Sequence, residues 1–285
     1  MRDYRRGTRA DNFVQGNRKN RLIISCPLPG RRINDGDNTT MTSRRRFIGI
    51  DGCRAGWFCV VLDEEMNAGF QVAADADAVG ALALAADSAL IDIPIGLPGA
   101  DPDGRHCDRE ARKLLGRGRA SSVFSAPARG TLAAAGYSSA LRLNRQASGR
   151  GLSKQAWNIV PKSREIDTLL RDNRALQGVL HECHPERCFW ALNGKRAMQL
   201  NKKTREGQQQ RLQVLQQYLP DCHVFFERAC HEFLRREVAR DDIIDAMVCA
   251  LTARLGDGAC QTLPVDPPTD TQGLPMRIAY YLPVP

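Results

Sequence analysis

No apolar run in this chain of 285 residues approaches the roughly 20 residues that a membrane-spanning helix needs. The N-terminus likewise lacks the short apolar core of a secretory signal. Together these absences point to a cytoplasmic protein that makes no use of a membrane. Ten cysteines are present, but in no spaced framework, and a chain with 42% hydrophobic residues builds a core without staples. They read as mostly free thiols. The stretch "HECHPERC" holds His181, Cys183, His184 and Cys188, yet no second pair stands at finger-like spacing. Strand alternation would also put His181 and Cys183 on one face and His184 on the other, which argues against zinc. "GIDGCRAG" contains glycines but neither a Walker A nor a dinucleotide fingerprint, so a phosphate-cradling loop is discounted. There is no internal repeat.

Charge is present in excess but unevenly. The chain carries +9, and its first forty residues hold nine Lys/Arg against four Asp, which is more than half of that excess. This stretch is polar, with "RLIISCPLP" its one apolar island, so residues 1–45 read as a disordered basic extension. "MTSRRRFIGID" from Met41 resembles a natural beginning, so what precedes it is either a basic arm or the product of a start placed too far upstream. The modest excess on the remainder weakens the case for tight, non-specific binding to long duplexes.

From Arg46 the texture changes. "RFIGID" and "WFCVVLD" are β-rich runs joined by a short Gly-bounded turn, a hairpin, and "GFQVA" extends it to a third strand. "DADAVGALALAAD" is helical, and "SALIDIPIGLP" returns to strand until Pro94 and Pro98 stop it. "HCDREARKLLG" is a helix ended by Gly116, "SREIDTLLRDNRAL" an amphipathic helix, and "GVLHECHPE" a fifth strand ended by Pro185. "TREGQQQRLQVLQQYL" and "DDIIDAMVCALTARLG" close the pattern as helices. Residues 101–157, rich in Gly, Ser and Arg, read as a helical and loop insertion over one end of the sheet.

Acids recur where strands end. Asp51 follows the first strand, Asp92 interrupts the apolar "LIDIPI", and Glu182 lies in the fifth strand. Asp242 and Asp245, three apart, share one face of the last helix. Asp51 before a glycine also suits a turn, and Asp242 suits a helix N-terminus. An acid inside an apolar strand is costly unless a partner offsets it, and a divalent cation is one such partner. Carboxylates converging from separate elements form a hard oxygen site suited to Mg²⁺ or Mn²⁺. Around them, Arg54, Arg109, Lys154, Lys162, Arg164, Lys202 and Lys203 are either phosphate contacts or solvated surface. Trp157 offers a stacking platform, and His184 either orients substrate or packs before Pro185.

The strand order with these acids resembles the RNase H-like superfamily, and "DDIIDAM" is similar to the paired-aspartate helix of its Holliday-junction resolvases. "GIDGCRAGW", "DIPIGLP", "RHCDREARKLLG", "SSVFSAP", "GLSKQAWNIVPKSREID", "HECHPERCFWALNG", "KKTREG" and "DDIIDAM" together resemble domain of unknown function family 429, predicted RNase H-like nucleases. That resemblance implies an α/β fold, an RNase H-like mixed five-stranded sheet flanked by helices, over residues 46–285. It implies a metal-dependent nuclease acting on DNA or RNA, with Asp51, Asp92, Asp242 and Asp245 as catalytic metal ligands for Mg²⁺ or Mn²⁺. Glu182 and Glu186 would join them only as in some branches of the superfamily. The alternative is an inactive RNase H-like module that binds nucleotide, nucleic acid or a protein partner. The oligomeric state stays open at this level.

Overall fold

The computed structural model of the protein describes residues 23–24 and 44–283. Most of the stretch expected to be a disordered extension therefore lies outside the described residues. Within it, Ile23–Ile24 (β1) pairs antiparallel with the strand at Phe70 and Gly69, adding a sixth strand at the edge of a sheet expected to have five.

The five longer-range strands follow from alternation. β2 (Arg46–Cys53) and β3 (Gly56–Asp63) form the expected hairpin, and β4 (Ala68–Ala73) continues it antiparallel. Helix α1 (Ala76–Leu84), capped by the Asp75 side chain on the Ala78 N–H, then carries the chain to β5 (Ser88–Ile91). β5 lies parallel to β2, and β6 (Leu180–Glu182) lies parallel to β5. The order is β1-β4-β3-β2-β5-β6.

Odd and even positions of β2 face different layers. Phe47 belongs to the core that holds Phe58, Val60, Leu62 and Phe70, whereas Ile48 and Ile50 belong to the core that holds Trp57, Cys59 and Ile91. The first layer is covered by α6 (Pro185–Leu192), α7 (Arg205–Gln216), α8 (Cys222–Glu232) and α9 (Arg240–Leu255). The second is covered by α1 and by α4 (Lys154–Asp172) with the short α5 (Arg174–Gln177). Helix α9 crosses β2 at very close range. A Cβ at Gly49 would lie 2.1 Å from both Ala246 O and Ala250 N, so only glycine permits the approach.

Between β5 and α4 come α2 (His106–Arg119), two single 3₁₀ turns and α3 (Tyr137–Ser148). The α2 run is broken at Gly116, whose φ of 66° leaves the helical region. Helix α4 begins well before the expected Ser163, because Ser153 caps it and Pro161 is accommodated inside the helix at the loss of one backbone hydrogen bond. Pro185 does end the fifth strand's segment, and it also opens α6 as its first residue. A second ladder of β7 (Gln261–Leu263) and β8 (Ile278–Tyr280) was not expected. Three-residue strands carry too little alternation to be seen in sequence. Among the described residues no helix is long and apolar enough to cross a membrane, and the described cysteines are free.

Candidate metal centre

Asp51 lies in β2 on the same face as Phe47 and Gly49, the face covered by α9. That alternation aims its carboxylate at the helix rather than at α4. Asp92 does not sit in the middle of a strand. β5 ends at Ile91, although the Asp92 N–H still donates to Ile50 O at 2.9 Å and so holds the residue beside Asp51. Asp245 comes from the second turn of α9, brought in by the contact at Gly49. Oxygens of Asp51, Asp92 and Asp245 all lie within 4.8 Å of one another. Asp245 is fully buried, and its Oδ1 has no hydrogen-bond partner.

Asp242 stands just outside this trio. Its Oδ2 accepts the Ala239 N–H at 2.9 Å, so the residue closes the first turn of α9 while adding negative charge nearby. Burial raises the pKa of Asp51 well above its ordinary range, and Asp92, Asp242 and Asp245 push it further. Asp92 is raised chiefly by burial, with His184 and Lys202 opposing. Asp242 and Asp245 are both pushed up to about 6, again mainly by burial. Acids this close and this dry favour any arrangement that brings a cation among them.

One cation is built in. Lys202 Nζ donates to Asp245 Oδ2 at 2.5 Å. Burial works against that ammonium, but Asp245, Asp51 and Asp92 outweigh it and hold its pKa above the usual lysine range. Lys162 reaches in from α4. Its Nζ donates to Gly56 O at 2.6 Å and lies 4.2 Å from the Trp57 ring, with burial lowering its pKa. Its stem crosses Gly52, where a Cβ would stand 2.8 Å from Lys162 Cδ. His184 lies with its Nε2 3.3 Å from Ser122 O, while its Nδ1 is buried without a partner. Asp51, Asp92, Lys162 and His184 line a common cleft of about 140 Å³, together with Arg105 and Phe124.

Glu182 also borders the cleft but belongs to another arrangement. It pairs in register with Ile91, which faces the α4 layer, so it points to the side of the sheet away from Asp51. There Arg105 grips it with two bonds of 2.6 Å and also binds Asp108. Glu186 has one oxygen held by Arg211 and the other buried without a partner. Its charge raises both Asp92 and Asp245.

The other basic candidates lie elsewhere. Arg54 is exposed at the hairpin turn, and Arg109 binds the carbonyls of Asp103 and Gly104 in its own loop. Arg164 holds the Leu132 and Ala134 carbonyls. Lys154 covers the Tyr137 ring at 3.5 Å, and Trp157 meets the same ring edge-on. Lys203 is exposed beside Lys202. Arg105 and Phe124 were missed by the sequence reading. Arg105 does leave a faint trace there, an Arg-x-x-Asp spacing at a helix start.

The donor set fits a hard divalent cation: three carboxylates from three elements, one of them with a buried oxygen left unbonded. No curated protein and no solved structure matches the chain. A family model described as "Protein of unknown function (DUF429)" matches residues 49–269, a span that carries every acid discussed above. The chain therefore belongs to this family of unknown function.

Proposed function

We propose that this protein is a metal-dependent phosphodiesterase of RNase H-like architecture, acting on nucleic acid. The observation that carries the reading is the convergence of Asp51, Asp92 and Asp245 from the first long strand, the residue just after the strand parallel to it and the last long helix. A three-stranded antiparallel meander extended by two parallel strands, with acids at those positions, supports the RNase H-like assignment. Asp51, Asp92 and Asp245 would hold Mg²⁺ or Mn²⁺, with Asp242 adding charge from three residues earlier on the helix. When bound, such an ion activates water and stabilises charge on the phosphate and leaving oxygen.

The chain's own residues have separate tasks. Lys162 brings positive charge to the cleft where a phosphodiester would enter, and Lys202 to the acid cluster itself. His184, with an unpartnered Nδ1, is placed to hydrogen-bond or exchange a proton with substrate oxygen. Asp242, through the Ala239 N–H, fixes the helix turn that presents Asp245.

A second reading has one observation in its favour. The Lys202–Asp245 ion pair already places a cation among the acids, as an inactive binding module would require. Mg²⁺ and Mn²⁺ calorimetry on the full chain, against Asp51→Asn with Asp245→Asn, separates the two. Binding lost in the double variant, together with Mn²⁺-dependent cleavage of labelled DNA or RNA, supports the enzyme. No metal binding at millimolar concentration and no cleavage would put the module ahead.

A further inference from the structure

A second cavity, about 260 Å³, opens beside the acid cleft between the loop after β5 and the start of α4. The two share a wall. Phe124 lines both cavities. They also share one helix face: Gln155 of α4 lines the second cavity, and Ile159 and Lys162 line the acid cleft. Positions i, i+4 and i+7 lie on one side of a helix and span about 10 Å along its axis. That distance corresponds to about three stacked nucleotides at about 3.4 Å each, and to fewer where bases are splayed apart.

The chemistry of this cavity differs from that of the cleft. Phe124 is half-buried: it packs on the Ala134, Ala140, Leu152 and Ala156 cluster but pairs with no aromatic ring among the described residues, and its remaining surface lines both cavities as a stacking face. Gln155 and Arg150 are exposed at the rim, and neither side chain has a hydrogen-bond partner among the described residues. Amide and guanidinium groups of this kind read base edges. Asp101 borders the same space, so the charge there is mixed and unsuited to a phosphate, while a carboxylate accepts from an exocyclic base amine. Other polar groups are committed: Asn144 binds the Ala128 N–H, and Ser153 caps α4. The volume lies near the low end of the range of about 300–1,000 Å³ for small-molecule pockets, enough for one nucleoside and too small for a base pair.

We propose that this cavity receives one unpaired base of the strand whose phosphate lies at the Asp51–Asp92–Asp245 centre, which makes unpaired nucleic acid the substrate class. This rests on the phosphodiesterase reading. Phe124 supplies the stacking face, and Gln155 and Arg150 contact the base edge. A duplex would have to fray or extrude a nucleotide to reach the acids.

The test uses the full chain with Asp51→Asn and fluorescence anisotropy of one labelled strand, as DNA and as RNA, alone and in duplex form. The single strand is expected to bind at least ten-fold more tightly than the duplex. Phe124→Leu, which keeps apolar volume but removes the ring, should weaken it by about ten-fold, in line with the worth of base stacking. Gln155→Ala, at an exposed position that leaves the core intact, should weaken it less and shift the preference among bases. Equal affinity for strand and duplex, or binding indifferent to both substitutions while Mn²⁺-dependent cleavage by the otherwise wild-type chain persists, overturns the cavity assignment and leaves the phosphodiesterase standing. Strand binding that depends on Phe124 without any cleavage does the reverse. Neither binding nor cleavage overturns both.

Discussion

Two groups of buried acids meet at one cleft, and they are treated differently. In one, Glu182 and Asp108 are both matched to Arg105, which is itself buried and spends its guanidinium on them and on the Ile95 carbonyl. In the other, Asp51, Asp92 and Asp245 crowd together with one lysine between them and an unbonded oxygen left over. In the first group every acid is paired, although burial still pushes Glu182 up to about 7, whereas the second has a single lysine for three carboxylates. Burial alone therefore does not mark a functional acid; burial with incomplete compensation does.

The contrast can be broken at its complete end first. Arg105→Ala leaves two buried carboxylates without their counter-charge, each left with a backbone N–H donor, and should cost about 3–5 kcal/mol of unfolding free energy in urea titration. A variant within 1 kcal/mol of the parent would show that the pairing contributes little.

On the incomplete side the expected signature is pH dependence. Burial pushes Asp242 and Asp245 up to about 6 in the folded, metal-free protein, from an ordinary, lower value in the unfolded chain. The folded state thus binds more protons from about pH 4 upward, so metal-free stability should fall as pH rises through about 4 to 6, and Asp51, raised further, continues the fall above that window. For one proton the change is about 3 kcal/mol across the window. Saturating Mn²⁺ should remove most of the slope, and a flat metal-free profile would contradict the crowding of these acids.

The comparison sharpens at Gly49. Alanine there meets the α9 backbone, so Gly49→Ala should cost about 1–3 kcal/mol and weaken metal binding by moving Asp245. Unchanged calorimetry would mean that α9 shifts without disturbing the centre. The smallest effect is expected at Lys202. With its charge removed, Lys202→Met should bind Mn²⁺ more tightly, by about ten-fold or about 1.4 kcal/mol, since a competing cation is gone. Weaker binding would make the lysine a support for the metal rather than its rival.

Much of this site was legible residue by residue. The alternation in "RFIGID" is enough to put Asp51 opposite Ile50, and the spacing in "DDIIDAM" is enough to put Asp242 and Asp245 on one helical face. Asp92 was recognisable from its apolar neighbours, though the strand proved to end one residue before it. Glu182 looked like a fifth member of the same set. Its register with Ile91 and its bond to Arg105, 77 residues away, remove it from the trio. The basic residues were the least legible. Lys162 reaches the cleft and Lys202 the acid cluster, while Arg109 and Arg164 are occupied by carbonyls of nearby loops that no spacing rule foretells.

By itself the sequence determined the local geometry: where strands and helices run, which side of each an acid occupies, and that several acids end up where elements terminate. These follow from periods of 2 and 3.6 residues, which every short segment carries within it. The tertiary structure alone decided which acids meet. Parallel pairing of β5 with β2 sets Asp92 beside Asp51, the missing side chain at Gly49 admits the helix that brings Asp245, and Arg105 claims Glu182 for the opposite face. Those outcomes depend on pairing register and on ion pairs between distant segments, and neither leaves a periodic trace along the chain.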